Sequence, residues 1–482
     1  MRPSARTVLI WLFAAHVLLT LVLFATMAGT PLHGDEAAYA DGARALSNLV
    51  RDLAALGPVD TAELQRNVVG SGWFMPGSSV LMTPLFVVVP DASAAVIRGY
   101  LALVSTGLLL WVVLEVRRAL GARYAAALLV VPGLIPMWVM FSMAAWGDLA
   151  GGLLVVLLLT RTVVLVRTVR AGVAPSLGQG AALGLIAIAV VYLRSSAALL
   201  VVAMLGAGVL AATVSAVRSL STRERVRASA AVAVAGAVFV GLLLPWSLFA
   251  SHTLGGRVVT TTSVPTVMAN TFGDPNELCF GPCDPGSTIW FTPLRYAREV
   301  ARATGHSELE VQQQMSAHAR ADVTRRSYVR DVRGDARRYF LNPTGFVSIL
   351  SDKPPSDGWG KVITYTSVVP YVLVALGWVL GLLVLVRARY EQQLLSVLIK
   401  LGLLALFVQP FVHVGGSRYW TTAAPLGGLA LALVVTLVHQ QRASPPVVLT
   451  RVGLGARWLS ATQVVLSLTA LAVTVIVLGY AR

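Results

Sequence analysis

Residues 7–40 read TVLIWLFAAHVLLTLVLFATMAGTPLHGDEAAYA. From 7 to 29 there is no Asp, Glu, Lys or Arg. Crossing the hydrocarbon layer takes about 20 apolar residues in a helix. This run is long enough, and Asp35 and Glu36 stand just where the chain would leave lipid. The apolar stretch exceeds the roughly 7–15 residues of a signal-peptide core, and many similar runs follow. It is therefore read as a retained first span.

The rest of the chain agrees. Of 482 residues, 56% are hydrophobic and 12% charged, with a mean hydropathy of +0.75. A soluble domain is usually about 25% charged. A chain this apolar uses lipid as solvent. About eleven spans can be marked at the length a bilayer requires. They are 7–29, 94–116, 122–141, 145–166, 178–193, 196–217, 228–250, 362–386, 393–413, 419–438 and 458–479. The fold class expected is an all-α polytopic membrane protein.

The net charge of +16 does not form one basic face. It falls in short clusters between spans: Arg2/Arg6, Arg117/Arg118/Arg123, Arg161/Arg167/Arg170, Arg218/Arg223/Arg225/Arg227, Arg387/Arg389 and Arg442/Arg451/Arg457. With the N-terminus inside, every cluster is cytoplasmic, as the positive-inside rule requires. That distribution argues against a nucleic-acid partner. It also divides the chain into an N-terminal membrane module (1–250), an outer insertion (251–361) and C-terminal spans (362–482).

Two long segments then lie outside, 30–93 and 251–361. The second carries 13 Lys/Arg against 11 Asp/Glu, so it is no basic patch. It reads as a partly helical subdomain, with one helix-like stretch over about 293–340. In the first, apolar residues recur from Tyr39 at Ala43, Leu46, Leu49/Val50, Leu53 and Leu56, which is helical spacing. The stretch WFMPGSSVLMTPLFVVV (73–89) is broken by Pro76 and Pro84. A full span there would put every later Arg cluster outside, so it is expected to be interfacial or re-entrant. Cys279 and Cys283 form a CxxxC pair, short of the four ligands zinc wants. They are either unrelated thiols or, in an oxidising compartment, a local disulfide.

The candidate chemical groups collect at the outer face. Asp35 and Glu36 are adjacent carboxylates, and such a group can take a proton from a hydroxyl; equally, acids suit the first turn of a helix. Asp148, in AAWGDLAGG, is a lone acid at the outer end of an apolar helix, or simply an N-cap. Arg194, in YLRSS, could hold an anion or snorkel. His413, Arg418, Tyr419 and Trp420 sit in QPFVHVGGSRYWTTAAP, where an aromatic belt is the plain alternative, strongest for Trp420. Taken together they supply carboxylates to activate a hydroxyl and Arg or His to hold a phosphate, for which the guanidinium fork is well shaped. No GxxxxGK[ST], HExxH, GxSxG or helix-opening GxGxxG occurs, against ATP-driven pumps, zinc proteases and lipase-type hydrolases.

This layout resembles the GT-C superfamily of membrane glycosyltransferases. It is most similar to the branch of protein O-mannosyltransferases and bacterial aminoarabinose transferases. The resemblance is carried by Asp35-Glu36-Ala37-Ala38-Tyr39 after the first span, Pro76-Gly77 through Pro84 before the second, Asp148, and Arg418-Tyr419 with Pro425. It covers the first ten spans in layout. Two features depart from it: a single Pro-Gly replaces the usual paired proline, and the soluble region lies between spans seven and eight.

The resemblance implies inverting transfer of a sugar from a polyprenyl-phosphate donor to an extracytoplasmic hydroxyl on a glycan, lipid or protein. Asp35 would be the base, with Glu36 and Asp148 in support. Arg194, His413, Arg418 and Tyr419 would hold the donor phosphate. A divalent cation (Mg²⁺ or Mn²⁺) at the acidic cluster is possible but not required. The Ala/Val/Arg-rich, Lys-poor composition suggests a high-GC bacterium, and the expected location is a bacterial plasma membrane. The alternatives are a transporter or lipid-linked-sugar flippase, and a scaffold that binds partners through 251–361.

Overall fold

The computed structural model describes residues 4–283, 292–341, 345–352, 357–387, 389–413, 417–443 and 454–479. Arg2 and Arg451 of the basic clusters lie outside them. The described residues are overwhelmingly helical and contain no strand. Nine of their helices are long and apolar enough to cross a membrane: Ala5–Met27, Ala94–Ala119, Asp148–Arg170, Ser195–Ser219, Thr222–Leu254, Gly358–Leu383, Tyr390–Phe411, Arg418–Gln440 and Arg457–Ile476. This is the fold of a multi-pass membrane protein.

Two expected spans differ. The 178–193 segment is the apolar helix Leu177–Leu193, whose 17 residues fall short of the others. The 122–141 segment is not one helix. It splits into Ala122–Val130 and Pro136–Phe141. Pro132 and Pro136 explain the break, because proline lacks the amide donor and turns the preceding residue away from helical geometry. Pro136 instead opens the second piece at its first turn. The Nδ1 of His16, on the first span, lies 2.7 Å from the carbonyl oxygen of Gly133 and ties that span to the break.

The Asp148–Arg170 helix is the hub. It is buried almost all round, as an evenly apolar helix must be. Gly152 allows a close crossing, since a methyl group there would come 2.5 Å from the Thr422 carbonyl oxygen. Gly180 and Gly184 do the same for the Leu177–Leu193 helix. Methyl groups on them would meet the carbonyl oxygens of Ala231 and Ala235 at 2.1 and 2.3 Å. This small-xxx-small spacing lets two membrane helices pack backbone to backbone. A buried lysine closes another helix end. Lys400 donates to the carbonyls of Gly381 and Leu382 and to Ser467 Oγ, satisfying carbonyls that the end of Gly358–Leu383 leaves open.

The segment after the first span is helical, as its spacing predicts. Asp35–Ala54 is an amphipathic helix. The Pro-interrupted stretch forms the helix Gly77–Val88 of 12 residues, roughly 18 Å long, too short to cross. Ser79 Oγ donates to the Tyr39 carbonyl and joins the two. In the insertion, the helix-like stretch is three helices, Thr292–Thr304, Glu308–Ala319 and Arg325–Leu341. Gly305, at φ +74°, ends the first, and Ser307 caps the second by accepting from the Glu310 amide. Cys279 and Cys283 are joined as a disulfide and pack into the small core of this subdomain.

The subdomain is docked on the rest of the same chain. Thr262 Oγ1 and Gln312 Nε2 donate to the Ser71 carbonyl, and Arg298 donates to Ser71 Oγ. On the other side, Tyr328 OH donates to the Phe411 carbonyl. The 251–361 insertion thus braces the loop at Ser71 and the turn at Phe411.

Candidate active site

Residues from seven parts of the chain meet around a cavity of about 520 Å³. Its lining includes Asp35, Arg194, His413, Arg418 and Tyr419, with Trp146 and Phe346 as aromatic wall. Each polar residue stands at a helix end. Asp35 opens the juxtamembrane helix, and Arg194 caps Leu177–Leu193. Arg418 lies in the first turn of Ser417–Ala443, and His413 stands between the two spans that flank it.

Arg418 is the keystone. Its Nη1 donates to Asp35 Oδ2 at 2.6 Å, and its Nε donates to Asp148 Oδ2 at 2.9 Å. Arg194 Nη1 lies 3.1 Å from Asp148 Oδ1. Two carboxylates and two guanidiniums therefore alternate, and their charges sum to zero. Asp148 is fully buried and does not reach the cavity; it stands behind the arginines and fixes them. It opens its helix after Gly147, which has φ +69°. A Cβ there would also lie 2.6 Å from Ser78 Oγ, so the turn that aims Asp148 needs glycine. Aromatic faces support both cations: Arg194 sits 4.8 Å from the Tyr419 ring centre and Arg418 4.6 Å from that of Trp146.

Glu36 takes a different place from that expected of a catalytic carboxylate. It is fully buried and faces away from the cavity, against the equally buried Arg98. Arg98 donates to both carboxylate oxygens, at 3.1 and 3.2 Å, and to the carbonyls of Thr30, Pro31 and Met143. Glu36 also accepts from the amides of His33 and Ala145. One bidentate pair thus clamps the exit of the first span, the Ala94–Ala119 helix and the loop before Asp148. Its effect is positional: it sets where Asp35 and Asp148 project. Of the three candidate carboxylates, only Asp35 faces the cavity.

Trp420 also departs from the aromatic-belt reading. It is buried, stacked on Tyr339 and edge-on to Tyr371 and Trp378, and its Nε1 donates to the Tyr339 carbonyl at 2.7 Å. That contact fastens the end of the insertion's Arg325–Leu341 helix beside the arginine-bearing turn.

His413 is neutral here. Burial lowers its pKa to about 3, and Arg194 and Arg418 add to the shift. It can hydrogen-bond a phosphate in this state but not neutralise one. The depressed folded value has a sign. The unfolded imidazole titrates near 6.5, so its contribution to stability is complete above about 6.5 and is lost as pH falls toward 3. Melting of the purified protein between about pH 7.5 and 4.5 should show a larger fall in Tm for the native chain than for His413→Gln. Equal falls would mean that His413 is not held neutral.

A divalent cation does not fit these residues. The carboxylates are bridged by Arg418, and both guanidiniums face the cavity. Among the described residues no group of three or more His, Cys, Asp or Glu is gathered to hold a metal. Hard cations want several free oxygens, so no step below uses one.

No family model matches the chain, and neither does any curated protein or solved structure.

Proposed function

We propose that the chain is a glycosyltransferase that moves a sugar from a polyprenyl-phosphate donor to an acceptor hydroxyl. The observation that carries this reading is the convergence of one cavity-facing carboxylate, Asp35, with two guanidiniums on a single cavity. In a membrane protein, such a cavity suits a lipid-linked donor. Nucleotide sugars are made in the cytosol and do not cross lipid. With the Arg clusters inside, the cavity opens outside the plasma membrane of a bacterium.

The geometry supports a sequence of events. Without donor, Asp35 is tied to Arg418 through its Oδ2. A donor phosphate brings oxygens that compete for the Arg418 fork, since guanidinium pairs with phosphate in the same bidentate way. Asp148 keeps Arg418 and Arg194 in place while the partner changes. Asp35 is then free to accept the proton of the acceptor hydroxyl. The hydroxyl oxygen attacks the anomeric carbon, and the bond from that carbon to the phosphate oxygen breaks. The electron pair leaves on the polyprenyl phosphate. Arg194 and Arg418 neutralise the charge as it develops, a preorganised effect of the kind that supplies most of the rate. His413 and Tyr419 add hydrogen bonds to the departing group.

The test uses purified protein in lipid nanodiscs, a panel of radiolabelled polyprenyl-phosphate sugars and a cell-envelope extract as acceptor. Donor-dependent label should move into the extract. In proteoliposomes, movement of intact labelled donor across the bilayer with no transfer would instead sink this reading in favour of a flippase.

A further inference from the structure

A second cavity, of about 280 Å³, shares a wall with the first. The wall includes Tyr39 and Phe74, whose ring centres are 4.9 Å apart and which line both spaces. Beyond it the lining turns basic, with Arg66 on the short helix Gln65–Val69 and Arg295 and Arg298 on the insertion. The charges there do not balance. Arg298 is paired with Glu308 at 3.2 Å. The one carboxylate of the lining, Asp41, is paired with Arg44 at 2.7 Å. Among the described residues no carboxylate pairs with Arg66 or Arg295, and both are exposed. Two parts of the chain far apart in sequence therefore bring unpaired guanidiniums to one small cavity. An oxyanion in that cavity would meet both, and the guanidinium fork fits it.

The cavity also lies at a useful distance from the proposed base. Asp41 is six residues beyond Asp35 on the same helix, roughly 9 Å along its axis. Tyr39 lies between them and touches both spaces. A ligand held in the second cavity therefore ends one aromatic layer from Asp35.

The geometry points to an anion pocket for the acceptor. The second cavity binds a phosphate or carboxylate that the acceptor carries a short distance from its reacting hydroxyl. That the ligand is an acceptor rests on the glycosyl-transfer reading; the anion binding does not.

The test is a titration of the full chain in lipid nanodiscs with inorganic phosphate and, separately, with glucuronate. It is read by tryptophan emission, because Trp73 lines both cavities. At least one probe should show a saturable component, and the probe that does so identifies the oxyanion. In Arg66→Gln/Arg295→Gln that component should weaken by about tenfold or more, the loss of a charge-assisted contact. Both side chains are exposed, and an unchanged elution profile checks the fold. A component due to the first cavity would persist in the double variant. If neither probe saturates, or the curve is the same with and without the two arginines, the pocket is not an anion site. No donor is needed, so a missing transfer activity with intact anion binding would count against the glycosyl-transfer reading alone.

Discussion

Asp35→Asn should abolish most transfer while leaving the donor bound. The substitution keeps size and a hydrogen bond to Arg418 but removes the proton acceptor. General-base catalysis is typically worth about 10²–10⁴-fold, so the turnover rate should fall by that amount. Donor affinity should hold or improve, because Arg418 is no longer tied to a full negative charge at 2.6 Å. The check is a single-turnover assay beside a donor-binding titration. Transfer within a few-fold of the native rate would remove Asp35 as the base. Equal losses of rate and donor binding would recast it as a residue that only positions Arg418.

Arg98→Met should be the most destabilising single change at this end of the molecule. The pair it breaks is fully buried on both sides. Removing one partner leaves an uncompensated buried charge, at a cost of about 3–5 kcal/mol. It also unties the carbonyls of Thr30, Pro31 and Met143. Replacing both partners, as in Arg98→Met/Glu36→Leu, should recover part of that loss, since an apolar pair of similar volume is often tolerated. Melting of the two variants checks this. If the single variant melts like the native chain, the clamp contributes nothing. If the double variant regains the fold but not transfer, the pair acts by aiming Asp35 and Asp148, as argued.

Much of this was legible in the sequence, for a physical reason. Lipid imposes length and hydropathy on each span, so the spans leave strong local signals. The break at 131–135 was hidden because hydropathy averages over a window and discounts Pro132 and Pro136. Asp35, Asp148, Arg194, His413 and Arg418 were legible as polar groups at the ends of apolar runs. Their pairing was not, since nothing in sequence says that Arg418 reaches both Asp35 and Asp148. Arg98 was missed altogether, although a lone arginine four residues inside an apolar helix is a signal in itself. Finding it would have supplied Glu36 with a partner and separated it from Asp35. Trp146, Tyr192 and Phe346 line the cavity without any local mark, because only the fold brings them together.

The most direct measurement is the anomeric configuration of the transferred sugar. It can be read by proton NMR on product from a single turnover with a donor of known configuration. Direct displacement by a hydroxyl that Asp35 has deprotonated, with the phosphate leaving toward Arg194 and Arg418, predicts inversion. Retention of configuration would require a covalent intermediate or an internal return, and would contradict the account.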